Sequence, residues 1–570
     1  MVKNYPLYET TFFADFRIMV ENAAKNFPDR YALSYRNKPI DPEPSHITYA
    51  QAAADIRALG TALIDLGCRD KHCAIIGGAT PGWVYSYFSL MAVGAVTVPL
   101  DKEWPENDLA DTILRAECEY VFYSSEVSSK LAAIRAKNPQ IRRFIRMWGE
   151  GDPEDLTLES LQSRGYGFLD AGNTRYDDYR IDPDRLASIV FTSGTTGKGK
   201  GVMLSQTNIV SDMTQGMYNF AISPKTMCFL PLHHTFGSTV NLVGHYAQGS
   251  EIYLSSGLKY ITKELKEQKP THLILVPLFV ETLYKKMIAG IRDSNKEKKF
   301  QTAVKLSKSL RKVGIDKRKD LFKDLLGVFG GRCDMIICGG AALNQDIIDF
   351  FENIGITVLN GYGITECAPL ISCNRNKLQK KGSVGIPIIG EKVKIYQPGE
   401  DGEGEICVKG PNVMLGYYKD PEATAAVFDE NGYFHTGDWG RLDEDGWLFI
   451  TGRIKNIIIL ANGKNVYPEE LETEITRIEG VNEVVVYEGE PAHRKEGENI
   501  IVAEIFPDRD FLESRGVTDL QAYFEDGIKE INGRNPSYKA IHRVKLRETE
   551  FPKNTSRKIT KFSIDRRIDG

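Results

Sequence analysis

The sequence lacks the features that mark several large classes of protein. No stretch approaches the roughly 20 apolar residues that a membrane-spanning helix requires. The first residues carry acids and polar side chains where a signal peptide would have an apolar core. The nine cysteines are scattered, without a CxxC pair, which argues against a disulfide framework or a zinc site. These absences predict a cytoplasmic protein that is attached at most to the surface of a membrane.

An excess of positive charge is also missing. The chain has 72 Lys and Arg against 77 Asp and Glu, a net charge of −5, so the composition does not indicate a nucleic-acid-binding protein. Residues 285–323 are the exception, with 14 Lys and Arg against 4 Asp and Glu. Such a segment is typical of a solvated helical surface, and it also suits contact with an anionic membrane or a polyanionic ligand. Both interpretations stay open at this point.

The length and the hydrophobic patterns predict two domains. A chain of 570 residues exceeds what one core usually organises. Residues 48–100 alternate helical periodicity with short apolar runs, as in a parallel sheet covered by helices. We predict a large α/β N-terminal domain over residues 1–454, with doubly wound sheets and a small β-barrel-like layer near residues 380–450. Residues 455–570 are predicted to form a small α+β C-terminal domain.

One glycine-rich stretch, FTSGTTGKGKGVMLSQ at residues 191–206, contains the spacing G-x-x-x-x-G-K from Gly194. A nucleotide-binding P-loop continues with Ser or Thr and opens into a helix. Here Gly201 follows, the next residues predict a strand, and a helix is capped only around Ser205. The hydroxyls, amides and ammonium groups of such a loop suit a mobile pyrophosphate. We therefore predict a triphosphate loop that differs from a P-loop, with a plain turn as the alternative.

Five motifs occur in a fixed order: TSGTTGKGKG, NGYGITE (360–366), HTGDWG (435–440), GRIKNIIILANGKNVYPEELE (452–472) and PKNTSRKITKF (552–562). Together they resemble the adenylate-forming superfamily of acyl-CoA synthetases, luciferases and peptide-synthetase adenylation domains. LPLHHTFG (230–237), ICGGAAL (337–343) and the basic segment also resemble long-chain fatty-acid–CoA ligases. The resemblance implies the adenylate-forming enzyme fold and an ATP-dependent acyl-CoA synthetase. Its substrates would be a medium- to long-chain fatty acid, ATP and coenzyme A, with Mg²⁺ as cofactor.

The same resemblance implies a nucleotide site drawn from several motifs. The loop over the β- and γ-phosphates would consist of Thr192, Ser193, Gly194, Thr195, Thr196, Gly197 and Lys200. Glu366 would bind magnesium, and Thr365 would contact phosphate. The adenine would lie against Tyr362, Gly363 and the main chain of Gly339, Gly340 and Ala341. Asp438 would bind both ribose hydroxyls, with Arg453 as its cationic companion.

The catalytic groups are also assigned by resemblance. Lys558 would bridge the attacking carboxylate and the α-phosphate, a task suited to an ammonium on a flexible stem. His234 would lie at the carboxylate pocket. Lys455 would be the hinge about which the C-terminal domain turns after adenylation, and Gly463 would line the tunnel for the thiol. Arg557 stands where the family commonly has glycine.

Several alternatives share these motifs. The chain could load an acyl group onto a carrier protein, or act on an aryl or short-chain acid. A luciferase-type oxygenase has the same motifs, whereas a non-catalytic nucleotide binder would be expected to lose Lys558 or Glu366, and both are present. The sequence predicts neither the acyl chain length nor the oligomeric state.

Overall fold

The computed structural model describes residues 5–192, 199–222, 224–460, 464–491, 499–553 and 559–568. The chain divides into a larger unit, Met1–Lys392 with Val408–Phe434, and a smaller unit, Val393–Cys407 with His435–Gly570. The smaller unit therefore includes residues 435–454, which the sequence analysis placed in the N-terminal domain. The predicted boundary at Lys455 concerns which part of the chain moves, and it stays a prediction.

The described residues form 26 β-strands. They are β1 (Tyr31–Tyr35), β2 (Ser45–Thr48), β3 (His72–Ile76), β4 (Val96–Leu100), β5 (Tyr120–Ser124), β6 (Arg143–Trp148), β7 (Leu156–Thr157), β8 (Leu186–Phe191), β9 (Gly201–Ser205), β10 (Lys225–Cys228), β11 (Glu251–Leu254), β12 (His272–Leu275), β13 (Met335–Cys338), β14 (Thr357–Gly363), β15 (Leu370–Cys373), β16 (Ile386–Pro387), β17 (Lys392–Tyr396), β18 (Gly404–Lys409), β19 (Gly416–Tyr417), β20 (Phe434–Leu442), β21 (Leu448–Arg453), β22 (Ile458–Ile459), β23 (Asn465–Val466), β24 (Val481–Glu488), β25 (Ile501–Pro507) and β26 (Arg543–Leu546).

The described residues also form 19 α-helices. They are α1 (Phe16–Asn26), α2 (Tyr49–Leu66), α3 (Pro81–Ala92), α4 (Glu106–Arg115), α5 (Leu131–Lys137), α6 (Leu158–Asp170), α7 (Arg175–Asp178), α8 (Gln206–Asn219), α9 (Gly244–Ala247), α10 (Ile261–Gln268), α11 (Pro277–Asp293), α12 (Glu297–Lys312), α13 (Arg318–Leu321), α14 (Lys323–Leu326), α15 (Gln345–Ile354), α16 (Pro421–Ala425), α17 (Pro468–Ile475), α18 (Arg509–Ser514) and α19 (Leu520–Arg534). In the described chain, no helix is both long enough and apolar enough to span a membrane.

Three sheets form the framework of the larger unit. The eight-stranded sheet has the order β19-β9-β8-β4-β3-β5-β6-β7. Its strands run parallel from β8 to β7, and β9 is antiparallel to both β8 and β19. The other two sheets have the orders β10-β11-β1-β2 and β12-β13-β14-β15-β16. The predicted α/β class is therefore confirmed.

Local sequence signals delimit helices α2 and α3. The Thr48 side chain accepts a hydrogen bond from the main-chain N–H of Gln51, and α2 ends at Gly67 with a φ of 86°. A positive φ favours glycine, which has no Cβ to clash. Helix α3 begins with Pro81, capped by Thr80, and all of its residues are buried. It therefore lies in the interior of the larger unit.

The glycine-rich stretch joins two antiparallel strands. It leaves β8 at Phe191 and enters β9 at Gly201, and these two residues are register partners. Helix α8 begins only after Ser205, whose side chain accepts a hydrogen bond from Asn208 N, while Asn208 Oδ1 accepts one from Ser205 N. The structure thus confirms that a strand, and not a helix, follows the loop.

The smaller unit contains sheets of orders β17-β18-β20-β21, β22-β23 and β24-β25-β26. The first is the short-stranded layer predicted near residues 380–450. Helix α17 ends at Ile475, and Ile478, which lies beyond the helix, packs against the core of this unit. That core is formed by apolar residues of α17, β24, β25 and α19, including Ile475, Val486, Ile505 and Phe524.

Two buried histidines pair inside the larger unit. His245 and His272 are both fully buried, and their Nε2 atoms lie 2.6 Å apart. His245 Nδ1 lies 2.9 Å from the carbonyl oxygen of Val240. Because a carbonyl only accepts, that nitrogen carries the proton, and His272 Nε2 donates to His245. Burial lowers the pKa of His245 to about 4. The pKa of His272 is lowered mainly by burial and also by electrostatic repulsion from His245.

We expect the stability cost of His245→Leu to shrink as pH falls. In the unfolded chain His245 takes up a proton below about pH 6.5, whereas in the folded chain it stays neutral down to about pH 4. The wild type therefore loses stability between these values through protonation of His245 in the unfolded chain, and the variant lacks this contribution. The difference in unfolding free energy between the two proteins should be about 1 kcal/mol smaller at pH 5.5 than at pH 7.5. An equal difference at both pH values in denaturant titrations would show that the folded pKa is not lowered.

Candidate active site

The described ends of the glycine-rich loop lie close together. Thr192 N donates to the carbonyl oxygen of Lys200 at 3.0 Å. The Lys200 side chain is exposed, and its Nζ lies 4.6 Å from the centre of the Tyr417 ring. The remaining residues assigned to this loop, Ser193, Gly194, Thr195, Thr196 and Gly197, lie outside the described residues. The structure thus places the two ends of the predicted phosphate loop and one of its cations.

Glu366 lies in a short 3₁₀ turn, Thr365–Cys367, directly after β14. Its Oε1 accepts a hydrogen bond from the hydroxyl of Tyr417 at 2.9 Å. Its carbonyl oxygen accepts one from Met414 N at 2.8 Å. Burial, followed by the nearby Glu366 carboxylate, raises the pKa of Tyr417 above its usual range, so the phenol remains a donor. The carboxylate is therefore fixed through both its main chain and its side chain.

The residues predicted to surround adenine come from neighbouring parallel strands. Cys338 at the end of β13 pairs with Asn360 in β14, and a Cβ on the next residue, Gly339, would lie 3.4 Å from the Gly361 carbonyl oxygen. A Cβ on Gly339 would lie 3.2 Å from the Phe236 ring. A Cβ on Gly363 would lie 2.0 Å from the carbonyl oxygen of Pro369. The close contact with Pro369 is therefore sufficient reason for a glycine at position 363.

Tyr362 follows Gly361 in β14, is 7% exposed and pairs with Ser372 of β15. Gly340 has a φ of 92°, a backbone conformation that residues other than glycine rarely adopt. The assignments at positions 339–341 and 362–363 stay predictions.

The two histidines of LPLHHTFG lie before a π-helical segment, Phe236–Val243. The main-chain carbonyl of His234 accepts hydrogen bonds from the N–H groups of Gly237 and Ser238, which fixes this turn. His233 Nε2 lies 3.6 Å from Asp101 Oδ2. Burial, followed by the charge of Lys102, lowers the pKa of His233 to about 3. His233 is therefore neutral at physiological pH and forms no ion pair with Asp101.

In the smaller unit, Asp438 and Arg453 are register partners on β20 and β21. Arg453 Nε lies 2.8 Å from Asp438 Oδ1, and the Asp438 side chain is 5% exposed. Glu405 of β18 holds the turn before Asp438, because its Oε1 accepts from Gly437 N at 3.0 Å and its Oε2 contacts His435 Nδ1 at 2.7 Å. The structure thus brings together the pair assigned to the ribose.

Lys455 lies in the 3₁₀ turn Ile454–Asn456, whereas Gly463 and Lys558 lie outside the described residues. The described residues that flank Lys558 are firmly held. Lys553 and Ile559 form an antiparallel bridge. Lys561 Nζ pairs with Glu469 at 3.0 Å and with Glu472 at 2.9 Å. Although burial opposes it, these two carboxylates raise the pKa of Lys561.

Sequence reasoning missed two residues of this arrangement. Tyr417 belongs to the GYY run at 416–418, and Glu405 to the GEI run at 404–406. In a sequence, an isolated tyrosine is usually interpreted as a core residue and an isolated glutamate as a surface residue. Only the pairing of distant strands shows that they contact Glu366 and the HTGD turn.

Comparison with known proteins gives a consistent result. The chain matches the AMP-binding enzyme family over residues 20–418. It is 30% identical over 468 residues to the long-chain-fatty-acid–CoA ligase FadD15 of Mycobacterium bovis, covering 78% of this chain and 76% of that protein. It is 28% identical over 539 residues to the long-chain-fatty-acid–[acyl-carrier-protein] ligase AEE15 of Arabidopsis thaliana, covering 82% and 73%.

Among solved structures, the anthranilate CoA ligase AuaEII in complex with anthranoyl-AMP aligns with a TM-score of 0.77 at 18% identity, covering 98% of this chain and 97% of that one. This similarity shows a shared fold. The family match covers well over half of the 570 residues. The chain therefore belongs to the AMP-binding enzyme family.

Proposed function

We propose that the protein is an ATP-dependent acyl-CoA synthetase that activates a medium- to long-chain fatty acid. The observation that carries the proposal is the meeting of two motifs at Tyr417. Lys200, at the end of the glycine-rich loop, and Glu366, of the NGYGITE motif, both contact this one side chain. A cation and a carboxylate at the stem of such a loop suit a metal-bound triphosphate.

In the first half-reaction, an oxygen of the fatty-acid carboxylate attacks the α-phosphorus of ATP. The bond from that phosphorus to the bridging oxygen breaks, and pyrophosphate leaves with its electrons. Acyl-AMP is the product. Because negative charge accumulates on the phosphates, placed cations and amides supply most of the rate enhancement. We assign these roles to the loop residues, to Lys200 and to Lys558.

The residues around Glu366 fit a magnesium ion. Mg²⁺ prefers oxygen donors, and a carboxylate supplies them. Among the described residues, Glu366 has no cationic partner that would compete, and its one side-chain hydrogen bond comes from a neutral phenol. When bound, the ion would neutralise phosphate charge. We propose that Glu366 holds it and that Thr365 contacts phosphate.

Asp438 and Arg453 are proposed to bind the ribose. A carboxylate can accept hydrogen bonds from two neighbouring hydroxyls with its two oxygens. Arg453 is 56% exposed although its Nε lies 2.8 Å from Asp438, so the guanidinium is accessible to a ligand. Tyr362, Gly363 and residues 339–341 would contact the base.

In the second half-reaction, the thiol sulfur of coenzyme A attacks the acyl carbon. The carbon–oxygen bond to AMP breaks, AMP leaves, and the thiol proton passes to solvent. We propose that rotation about Lys455 withdraws Lys558 before this step and lets Gly463 line the thiol tunnel. His234 is assigned to the carboxylate end of the acid pocket.

The fatty acid is proposed as substrate because the matched relatives are named for it. FadD15 is a ligase of long-chain fatty acids and CoA, and AEE15 joins long-chain fatty acids to an acyl-carrier protein. Both names agree on the acid and differ in the acceptor. We propose CoA as the acceptor, and a carrier protein is the alternative that the first experiment below tests.

We further propose that the basic segment contacts anionic lipid. Lys305, Lys308 and Lys312 of α12 are exposed and form no ion pair within the described residues. Exposed apolar side chains lie among them, with Val313 71% and Leu306 48% exposed. Charge alone would suit any polyanion, whereas charge mixed with apolar side chains favours a membrane surface. Such a position would bring the enzyme to its substrate.

The products of the reaction distinguish the proposed function from its alternatives. Purified protein with ATP, Mg²⁺, CoA and palmitate should form palmitoyl-CoA, AMP and pyrophosphate, and it should prefer long chains over acetate or benzoate. Mass spectrometry of the thioester and chromatography of the nucleotide measure this. Formation of AMP without acyl-CoA would indicate that the acyl acceptor is a carrier protein and not CoA. ADP as the product would contradict the proposal, and oxygen consumption would favour a luciferase-type oxygenase.

Replacement of Lys558 separates the two half-reactions. Lys558→Ala should slow acyl-AMP formation by at least about 100-fold, as expected when a group that stabilises transition-state charge is removed. Conversion of supplied acyl-AMP and CoA to thioester should stay near the wild-type rate. The matched control is Lys529→Ala, an exposed lysine of the same unit. If both half-reactions fall equally, Lys558 does not have the assigned role.

Charge removal in the basic segment tests the proposed membrane contact. Replacement of Lys305, Lys308, Arg311 and Lys312 by alanine should weaken partitioning onto phosphatidylserine vesicles at least tenfold, because each charge contributes about 1 kcal/mol. The control replaces Lys259, Lys263, Lys266 and Lys529, which are exposed elsewhere. Sedimentation with vesicles gives the result. Unchanged partitioning of the first variant would refute the membrane contact.

A further inference from the structure

Tyr417 is held in place by its own main chain. It lies in β19, at the edge of the eight-stranded sheet, and pairs with Val202 of β9. On either side of it, Leu415 N donates to Met203 O at 2.9 Å and Tyr418 N donates to Gly201 O at 2.7 Å. Its own N–H donates to Thr424 Oγ1 at 2.9 Å. The position of the ring is therefore set by the strand that leaves the glycine-rich loop.

The hydroxyl of this ring fixes one oxygen of a carboxylate. It donates to Glu366 Oε1 at 2.9 Å, and Tyr417 is only 7% exposed. Among the described residues, no group donates a hydrogen bond to the second oxygen, Oε2. A carboxylate held by one oxygen keeps its orientation and has the other for a ligand. A hydrogen bond to a charged group of this kind contributes more than one between neutral groups.

The face of the same ring contacts a cation. Lys200 Nζ lies 4.6 Å from the ring centre, within the range of a cation–π contact. Lys200 is also tied through its carbonyl oxygen to Thr192 N at the other end of the loop. One side chain thus touches the carboxylate from its edge and the ammonium from its face.

We propose that Tyr417 is a positioning residue that orients Glu366 toward a divalent cation and Lys200 toward the phosphates of the bound nucleotide. This inference rests on the proposed function, since it needs Glu366 to be a metal ligand. A role in core packing alone would require the ring and not the hydroxyl. The two interpretations therefore differ in what Tyr417→Phe does, because phenylalanine keeps the ring and removes only the donor.

The test measures metal binding, not turnover. Mn²⁺ binding is followed by electron paramagnetic resonance, with the unreactive analogue α,β-methylene ATP and no fatty acid. Tyr417→Phe should raise the dissociation constant of Mn²⁺ about tenfold, the effect of losing one hydrogen bond to a charged group. The matched control is Tyr418→Phe, which loses a hydroxyl that donates to the exposed Glu117 at 2.7 Å. It should bind Mn²⁺ as the wild type does.

Two further variants assign the effect to the named contacts. On a Glu366→Gln background, Tyr417→Phe should add nothing, because the hydroxyl acts through that carboxylate. Tyr417→Leu should also weaken binding of the analogue without metal about threefold relative to Tyr417→Phe, through loss of the cation–π contact. Additive effects of Glu366→Gln and Tyr417→Phe would overturn the proposal.

The failure of this inference can be told from failure of the proposed function. If the wild type binds Mn²⁺ with the analogue and Tyr417→Phe binds it equally well, the positioning role is wrong and the function stands. If the wild type binds no Mn²⁺, or if Glu366→Gln binds it normally, the metal assignment of Glu366 itself is wrong. In that case the positioning role falls with it.

Discussion

The pairing of β19 with β9 is the interaction on which the candidate site depends. It lays the 415–418 segment along the strand that leaves the glycine-rich loop, so Tyr417 meets Lys200 and Glu366 at once. The loop strands β8 and β9 and the strand β14, which carries most of the NGYGITE motif, belong to different sheets. Tyr417 contacts Lys200, at the end of the loop, and Glu366, just after β14. A triphosphate concentrates charge, and its ligands must be fixed before it binds if they are to act without reorganisation.

The smaller unit shows the same use of strand pairing. Asp438 and Arg453 face each other across β20 and β21, and Glu405 of β18 fixes the turn that carries Asp438. Lys561, three residues after Lys558, forms ion pairs with Glu469 and Glu472. Each unit therefore presents its own preorganised charged groups. In the mechanism proposed above, rotation about Lys455 exchanges Lys558 for Gly463 between the two half-reactions.

Much of the fold could be predicted from local sequence. Thr48 and Gly67 delimit a helix by capping chemistry, and Gly201 with the apolar residues after it predicted a strand where a P-loop has a helix. Contacts between distant strands could not be predicted, because periodicity does not encode which edges meet. Tyr417 lies 51 residues from Glu366, and Glu405 lies 32 from Gly437. By contacts, residues 435–454 group with the smaller unit.

The central claim is that the acid attacks the α-phosphorus of ATP, and oxygen labelling tests it most directly. Palmitate carrying ¹⁸O in both carboxylate oxygens is incubated with the protein, ATP, Mg²⁺ and CoA, and the products are separated for mass spectrometry. The account predicts one ¹⁸O in AMP, one in the thioester and none in pyrophosphate, since the bridging oxygen of acyl-AMP leaves with AMP. Label in inorganic phosphate or pyrophosphate, with unlabelled AMP or ADP, would contradict it.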